Sequence, residues 1–324
     1  MMEKILEKLK ANRGSFVSGE ELAQDAGISR AAIWKRIERL RAMGYEILSS
    51  PHKGYKLVGA APGIHPFEIK ETIGTEIFGH EIYFKPEVDS TNIWARALAG
   101  QGAGEGTVVI AESQSRGKGR LGRSWASAPG LGLWFSIILR PRLSVMDLSG
   151  INILTATAVA KAIFNVTGVQ ARIKWPNDLT FENRKLGGIL TEINGEMERI
   201  HYMVLGIGLN INHMPADFPG ELSGKATSLR MIMGEEVSRS KVLQEFLRIF
   251  EKSYVSFSAA LEEAVKYATL YSASIGKVIK IDQGFGRVIA GEAIGLAADG
   301  SLLVRETTGA LTRVHSGDII ETAG

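Results

Sequence analysis

Apolar residues recur at helical spacing through the first forty residues, and turn-forming residues separate the repeats. A first helix has its apolar face on Ile5, Leu6 and Leu9. Ser18 followed by Glu21 is a capping box, in which each side chain satisfies a free backbone amide, so a second helix begins there. Ala-Gly-Ile at residues 26–28 then predicts a turn.

A third helix and a hairpin follow this turn. Ser29 can cap the helix, Gly44 ends it, and its apolar face consists of Ile33, Ile37 and Leu40. Residues 45–49 and 55–58 alternate like short strands, and turn residues at 50–54 separate them. Three helices followed by such a hairpin predict a winged helix-turn-helix, with the third helix as its recognition helix.

A mixture of strands and helices begins after a Gly- and Pro-containing linker at residues 59–66. Strands are predicted at 81–84, 107–112 and 133–139, and helices from about residue 89, at 148–166 and over 241–269. The apolar segments 188–193 and 200–211 flank Asn194-Gly195, a strong hairpin signal, so we expect the turn there. The expected core is an α+β layer, an antiparallel sheet with helices on one side.

Short β-branched segments separated by glycine turns fill the end of the chain, at 278–281, 287–289, 301–305 and 312–314. They predict a small β-barrel of SH3-like size. The predicted domains are therefore residues 1–62, 63–272 and 273–324, in an α+β multidomain fold.

The composition narrows the class of protein. Of the 324 residues, 45% are hydrophobic and 23% are charged, which indicates a globular chain. The sequence has no uninterrupted apolar run of the roughly 18–20 residues that a membrane helix needs, and its N-terminus has no signal-peptide core. We therefore expect a cytoplasmic protein without a membrane partner. The absence of cysteine excludes disulfides, thiolate zinc sites and cysteine nucleophiles.

The basic charge is concentrated in one short segment. Residues 29–58 contain seven Lys or Arg against two acidic residues, and the remainder has a slight acidic excess, although the whole chain carries +3. A local basic excess is typical of a nucleic-acid contact. The candidate DNA-binding residues are Ser29, Arg30, Lys35, Arg36, Arg39 and Lys53. The alternative is a solvated charged helix in an ordinary three-helix cap.

Residues 117–123, Gly-Lys-Gly-Arg-Leu-Gly-Arg, have the glycine spacing of a dinucleotide-binding turn. That motif should open a helix, whereas residues 124–132 here lead into another strand. Cations alternate with the glycines, at Arg116, Lys118, Arg120 and Arg123. Because bare amides and cations together suit phosphate or carboxylate oxygens, an anion-binding loop is favoured over a Rossmann turn. A flexible basic surface loop is the alternative.

Three further motifs carry polar side chains at the ends of predicted elements. Lys174-Trp-Pro-Asn-Asp178 and Lys185-Leu-Gly-Gly-Ile-Leu190 place lysines at strand ends, where they could neutralise a phosphoryl group. Each lysine could equally be an exposed strand-end residue, and Asp178 a turn former. Asp89-Ser90-Thr91-Asn92 places hydroxyls at a helix start, where helix capping is favoured over ligand binding.

In their order along the chain, these motifs resemble those of the biotin protein ligases: Asp89 to Asn92, Gln114 with the 117–123 loop and Trp125, Lys174 to Asp178, Lys185 to Leu190, and Gly206-Ile-Gly-Leu-Asn210. The resemblance covers essentially the whole chain, including the winged helix-turn-helix and C-terminal β-barrel of the bifunctional ligases that also repress the biotin operon. It implies a class II synthetase-like mixed or antiparallel sheet with helices in the middle domain. Lys118 and Leu121 depart from the pattern, since the best-known repressors have arginine at both positions.

The resemblance also implies roles for individual residues. Biotin-binding residues would be Ser90, Thr91, Asn92, Gln114, Gly117, Lys118, Gly119, Arg120, Trp125, Lys185 and Gly188. Contacts to ATP or the adenylate would come from Arg120, Arg123, Lys185 and Asn210. In catalysis, Lys185 and Arg120 would stabilise the transition state, and Asp178 or Lys174 would orient or deprotonate the acceptor lysine. Residues 213–229 would form a loop that orders over the adenylate.

The implied activity is that of an ATP-dependent biotin–[acetyl-CoA-carboxylase] ligase using biotin, ATP and Mg²⁺, with no metal held by the protein. Its implied partners are the biotin carboxyl carrier protein of acetyl-CoA carboxylase or a related biotin-dependent carboxylase, operator DNA, and a second copy of the chain when adenylate is bound. One alternative is a biotin-sensing repressor without ligase activity, which could lose Lys185. The other is a lipoate or octanoate transferase of the same fold, which would need a long apolar tunnel.

Overall fold

A computed structural model describes residues 2–60, 63–64, 66–141, 147–196, 199–284 and 286–323. The chain divides into two compact units, Met1–Ile69 and Lys70–Gly324. The domain boundaries expected near residues 62 and 272 stay predictions. The α+β fold with a winged helix-turn-helix at its N-terminus is confirmed.

The first unit contains the predicted three helices and hairpin: α1 Met2–Ala11, α2 Gly19–Ala26, α3 Arg30–Ala42, β1 Tyr45–Ser50 and β2 Gly54–Ala60. Ser18 and Ser29 cap α2 and α3 by accepting bonds from the amides of Glu21 and Ala32. The apolar faces expected from the sequence meet in one core, which includes Ile5, Leu9, Ile33, Ile37 and Leu40. Helix α4, Pro66–Ile73, crosses the boundary between the units.

The second unit has helices α5 Thr91–Gly100, α6 Leu148–Thr167, α7 Leu229–Met233, α8 Arg239–Val255 and α9 Phe257–Leu270. Its main sheet is built from β3 Ile82–Val88, β4 Val108–Gln114, β5 Gly132–Leu139, β6 Arg172–Lys174, β7 Asp178–Phe181, β8 Arg184–Glu196 and β9 Arg199–Asn210. The strand order is β3-β4-β5-β9-β8-β7-β6, and the β3–β4 pair is parallel while the other pairs are antiparallel.

Helices pack on both faces of this sheet, so the expected arrangement with helices on one side was wrong. Successive residues of a strand point to opposite faces. Ile138 of β5 packs with Ala95 and Ala99 of α5, whereas Phe135 contacts Phe246 of α8 from the other face. Every residue of β5 is buried, which is consistent with a strand covered on both faces.

The β8–β9 hairpin is confirmed, but Asn194-Gly195 is not its turn. Asn194 pairs with Tyr202 and Gly195 with Ile200, and the pairing continues to Glu196 opposite Arg199. The register shifts between Asn194 and Gly195, so this dipeptide accommodates a β-bulge inside the strand. The connection between the strands falls on residues 197 and 198, outside the described residues.

Helix α6 is long and apolar enough to cross a membrane by length and composition alone, but about two thirds of its most apolar stretch is buried inside the protein. It contacts α8, α9 and the strands β6, β7 and β8. Its apolar character is therefore that of a core helix.

The predicted small β domain is confirmed as a five-stranded antiparallel sheet. Its strands are β10 Val278–Asp282, β11 Val288–Leu296, β12 Leu302–Glu306, β13 Leu311–Val314 and β14 Asp318–Ala323, in the order β13-β12-β11-β10-β14. Buried Trp175 connects it to the main sheet, because its indole N–H donates to the carbonyl of Gly300 at 3.3 Å.

An ion pair between α8 and β4 attaches the helix to the strands that carry the site. Arg239, only 6% exposed, donates from both terminal nitrogens to the Glu112 carboxylate, at 2.8 and 3.3 Å, and to the carbonyl of Gly132 at 3.1 Å. Burying an arginine is favourable only when such partners replace its water. The start of α8 is therefore fixed against both β4 and β5.

Replacing Arg239 with Met should destabilise the protein by about 3–5 kcal/mol, because the Glu112 carboxylate would lose its partner in a largely buried position. Chemical denaturation measures this. The matched control is Arg305→Met, which removes the exposed Arg305–Glu292 pair at 3.3 Å and should cost less than about 1 kcal/mol. Equal effects of the two substitutions would contradict a structural role for the buried pair.

Candidate active site

A cavity of about 310 Å³ lies against the main sheet. Most of the predicted ligand-binding and catalytic residues line it: Ser90, Thr91, Asn92, Gln114, Lys118, Gly119, Arg120, Arg123, Trp125, Lys174, Asp178, Lys185, Gly188 and Asn210. Gly117 lies behind this lining, where its carbonyl accepts a bond from the Trp125 amide at 2.9 Å. Motifs more than a hundred residues apart in sequence are thus brought to one site.

One end of the cavity is a network of polar side chains at the start of α5. The Thr91 amide and hydroxyl both bond the Gln114 side-chain oxygen, at 2.8 and 3.2 Å, and the Gln114 amide nitrogen donates to Ser127 Oγ at 2.8 Å. Ser136 Oγ donates to Asn92 Oδ1 at 2.7 Å and lies 2.8 Å from Thr91 Oγ1. Buried polar groups held this way present fixed donors and acceptors to a ligand.

Three residues of this network, Ser127, Ser136 and Glu192, were not predicted from the sequence. The Glu192 carboxylate accepts a bond from the Asn92 amide nitrogen at 2.8 Å. Ser136 interrupts the apolar run of β5, so a single polar residue in a buried strand was the available signal. Ser90 belongs to the expected N-cap motif, but its side chain makes no capping bond to α5. The predicted capping role for its hydroxyl was therefore wrong.

Trp125 forms a wall of the cavity against bare backbone. A Cβ on Gly208 would lie 2.7 Å from the Trp125 ring, and one on Gly188 would lie 3.1 Å from it. The ring meets Trp134 edge-on at a centroid distance of 6.3 Å. The Trp125 indole N–H is buried and has no hydrogen-bond partner among the described residues, so it is a donor available to a ligand.

The basic loop closes on itself like a tight hairpin. The amide of Gly119 bonds the carbonyl of Arg123 at 2.7 Å, and Lys118 pairs with Ser124 in an antiparallel bridge. Leu121, at the tip, has a φ of 53° and is 71% exposed. A left-handed leucine is unfavourable, which shows that the closed hairpin is imposed by its other contacts.

Two arginines of this loop bind the small β domain. Arg120 and Arg123 contact the two oxygens of the Asp318 carboxylate at 3.2 and 2.7 Å. Arg120 also donates to the carbonyl of Gly317 at 3.2 Å and to Asn177 Oδ1 at 3.3 Å. Asp318 was not predicted from the sequence, because nothing in its strand pattern distinguishes it from a surface carboxylate.

Lys185 is paired at the opposite wall. Its ammonium lies 2.7 Å from Asp178 Oδ1 and 5.2 Å from the centroid of the Trp125 ring. Lys118 and Lys174 also line the cavity, and within the described residues neither has a carboxylate within 4.0 Å. The cavity therefore combines paired and unpaired cations, which suits an anionic ligand.

The predicted loop at 213–229 contributes His213, Asp217, Phe218 and Leu222 to the cavity. The His213 ring stacks on Phe218 at a centroid distance of 4.9 Å and meets Trp134 at 5.8 Å. The loop is joined to Lys185 by backbone bonds, from the Lys185 amide to the Lys225 carbonyl at 2.7 Å and from the Thr227 amide to the Lys185 carbonyl at 2.9 Å.

Burial lowers the pKa of His213 from 6.5 to about 4, although nearby Asp217 acts in the opposite direction. The imidazole is therefore neutral at pH 7.

Asn210, also buried, donates to the Lys185 carbonyl at 3.3 Å. The Lys185 amide thus donates to the loop, and the Lys185 carbonyl accepts from both the loop and Asn210. These bonds position the loop and the lysine together.

The candidate DNA-binding residues lie in the first unit. Ser29 at the start of α3, Arg30, Lys35 and Arg39 on α3, and Lys53 at the hairpin tip are exposed, and Arg36 is partly exposed. Arg41, another base of the segment, has a structural contact instead, because its guanidinium donates to the carbonyl of Ile47 at 2.6 and 2.9 Å and to Glu38 at 2.6 Å. The exposed bases form a positive helix face.

Comparisons with known proteins agree with this organisation. A model of the Biotin/lipoate A/B protein ligase family matches residues 86–210, and an HTH domain model matches residues 2–56. The Bifunctional ligase/repressor BirA of Bacillus subtilis is 36% identical over 97% of both chains. The Biotin--[acetyl-CoA-carboxylase] ligase of Mycobacterium tuberculosis is 28% identical over 72% of this chain and 86% of its own length.

A similar solved structure is the biotin protein ligase from Aquifex aeolicus in complex with biotin and ATP. It has a TM-score of 0.64 and 28% sequence identity, and the match covers 75% of this chain and 98% of that one.

Acidification should destabilise the protein through His213. In the unfolded chain the imidazole takes up a proton below pH 6.5, but in the folded chain only below about pH 4. The contribution of His213 to the free energy of unfolding is therefore fully present above pH 6.5. It is lost as the pH falls from 6.5 to about 4, by about 3 kcal/mol in all. Chemical denaturation gives the free energies of unfolding of wild type and His213→Gln. The difference between the two proteins should change by about 2–3 kcal/mol between pH 7 and pH 4.5. Parallel pH profiles would contradict the assigned shift.

Proposed function

Because the chain belongs to the family of bifunctional biotin ligase/repressors, we propose that it forms biotinyl-AMP, transfers the biotin to a carrier-protein lysine, and represses transcription by binding operator DNA. The observation that carries this function is the single cavity that gathers the anion-binding loop, Lys185 and the polar network around Thr91. The chain also has a winged helix-turn-helix, which the ligase reaction does not require.

The polar end of the cavity would hold the ureido ring of biotin. Biotin is mostly hydrocarbon with one polar head, and the cavity combines an indole wall with the Thr91 and Gln114 network. Ser90, Asn92, Gly117, Lys118, Gly119 and Gly188 would complete the lining. The carboxylate of the valeryl chain would then extend toward the cations of the basic loop.

In the first half-reaction, a biotin carboxylate oxygen attacks the α-phosphorus of ATP. A new phosphorus–oxygen bond forms, the bond to the bridging β-phosphate oxygen breaks, and pyrophosphate leaves with the electron pair. The reactants are both anions, so Lys185 and Arg120 would offset their repulsion, with Arg123 and Asn210 contacting the nucleotide. The ammonium of Lys185 would exchange Asp178 for a phosphate oxygen.

In the second half-reaction, a neutral acceptor amine attacks the biotinyl carbonyl of the mixed anhydride. The carbon–nitrogen bond forms, AMP leaves, and one proton must be removed from the amine. Asp178 lies at the wall beside Lys185 and would accept this proton or orient the amine, with Lys174 next to it. The loop at 213–229 would exclude water from the anhydride.

Mg²⁺ would arrive with ATP rather than bind to the protein first. Of the carboxylates that line the cavity, Asp178 pairs with Lys185, Asp318 pairs with two arginines, and Asp217 accepts a bond from the Met214 amide at 2.7 Å. Across the described residues, no group of three or more His, Asp or Glu is arranged to hold a metal ion. This donor set does not suit a resident Mg²⁺, whereas phosphate oxygens do.

The partners follow from the two activities. The acceptor would be the biotin carboxyl carrier protein of acetyl-CoA carboxylase or a related carboxylase, in the cytoplasm. Operator DNA would bind the exposed bases of α3 and the wing. We further propose that two chains pair when adenylate orders the cavity loop, which would align two recognition helices with two half-sites.

Substituting Lys185 tests the ligase function together with its central residue. Wild type incubated with ATP and biotin should release pyrophosphate and label a carrier domain, and lipoate should not replace biotin. Lys185→Ala should lower the rate of pyrophosphate release by ~100-fold, the usual effect of losing one preorganised charge contact in a transition state. Lys252→Ala on α8, exposed and outside the cavity, is the control. Normal release by folded Lys185→Ala would refute this role, and lipoate transfer by wild type would favour the transferase.

A second prediction concerns the basic face of α3. Removing two of its charges in Lys35→Gln/Arg39→Gln should weaken duplex binding and reduce the slope of log affinity against log salt by about 2, one per lost phosphate contact. Biotin with ATP should tighten binding by wild type. Ligase activity of the variant should be unchanged, which shows that the chain is folded. A salt slope equal to wild type would contradict the DNA-binding assignment.

A further inference from the structure

Trp34 lies on the recognition helix with much of its ring in solvent. It is 56% exposed, whereas Trp134 and Trp175 are buried, Trp94 lies under the Lys85 ammonium at 4.5 Å, and Trp125 packs in the cavity. Within the described residues, Trp34 has no ring or cation contact. A tryptophan held on a folded helix without such a partner presents a large apolar surface to another molecule.

The position of Trp34 on α3 relates it to the wing. Arg41 is seven residues later, about two helical turns, so both side chains leave the same flank of the helix. The Arg41 guanidinium binds the carbonyl of Ile47 in β1, which identifies this flank as the one beside the wing. Trp34 is therefore on the side of the recognition helix that lies beside the wing.

Two cations lie next to Trp34 on the surface of α3. Arg30 precedes Trp34 by one turn, Lys35 follows it directly, and both are exposed. The nearby acid, Glu38, is neutralised by Arg41 at 2.6 Å. An apolar ring within a positive strip is complementary to a polyanion that also has an apolar group, and less so to an uncharged protein surface.

We propose that Trp34 contacts the C5-methyl group of a thymine in the major groove and so selects the operator sequence. The inference rests on the proposed repressor function and deepens it. The edges of base pairs in the major groove are hydrogen-bond donors and acceptors, and the thymine methyl is the apolar exception. Arg30, Lys35 and Arg39 would neutralise phosphates, which carry no sequence information, and Trp34 would supply discrimination.

Deoxyuridine tests this contact, because it pairs like thymine but lacks the methyl group. The full-length wild-type chain, with biotin, ATP and Mg²⁺, first selects duplexes from a random library. Replacing the contacted thymine in the selected duplex with deoxyuridine should weaken wild-type binding about fourfold, the effect of one buried methyl group. The same replacement should leave Trp34→Ala unaffected.

Variants separate this contact from charge and from folding. Trp34→Ala should bind the selected duplex roughly tenfold more weakly than wild type, with an unchanged salt slope. Lys35→Gln is the matched control and should reduce the salt slope by about 1 while keeping the sensitivity to deoxyuridine. Trp34→Leu, which keeps an apolar side chain, should retain part of that sensitivity. Ligase activity of each variant reports folding.

The outcomes distinguish a failure of the Trp34 contact from a failure of the repressor function on which it rests. A wild type that selects no sequence would overturn the repressor function and the Trp34 contact together. Selection by wild type with equal deoxyuridine sensitivity in Trp34→Ala would overturn the contact alone. A change in oligomeric state of Trp34→Ala without DNA would assign the ring to a second copy of the chain, and would also overturn it.

Discussion

The site depends on the close approach of two side chains to bare backbone in β9. A Cβ at Gly206 would lie 2.0 Å from Asn92 Oδ1, and one at Gly208 would lie 2.7 Å from the Trp125 ring. Because neither glycine has a side chain, α5 can bring Asn92 onto the sheet and the segment after the basic loop can place Trp125 on it. The space for a ligand remains between them. Larger residues here would displace both walls of the cavity, since interiors are closely packed.

Charge pairing is the second constraint on the cavity. Several cations face one small space, and unpaired charges near one another would repel. Asp178 beside Lys185 and Asp318 beside Arg120 reduce this repulsion while the cavity holds no anion. The phosphate of the proposed substrate would compete with these carboxylates, which would make its affinity lower than the number of cations suggests. The same carboxylates hold the cations in position before the ligand arrives.

Local pattern predicted most of the fold and singled out the basic loop, because capping residues, strand alternation and glycine-cation motifs act over a few positions. The resemblance to biotin protein ligases supplied Gln114, Trp125 and Asn210, which no local pattern marks as site residues. A polar residue inside an apolar strand was a signal for Ser136. Its contact with Asn92 and the contact of Asp318 with Arg120 could not be predicted, since each partner lies far away in sequence. The same reason explains the two errors in the predicted fold. Asn194-Gly195 has the chemistry of a turn, but continued pairing with β9 makes it a bulge. The covering of both sheet faces is decided by tertiary packing.

The 213–229 loop and Lys185, the proposed catalytic lysine, are coupled through the backbone. The peptide groups of Lys185 bond the Lys225 carbonyl and the Thr227 amide, and Ser228 in turn donates to the carbonyl of His213. A movement of this loop therefore changes the strand segment that presents the Lys185 ammonium. Adenylate that orders the loop would fix the lysine, and a loop that opens to release product would loosen it. In the proposed function, one set of backbone bonds would thus relate catalysis to the surface change that allows two chains to pair.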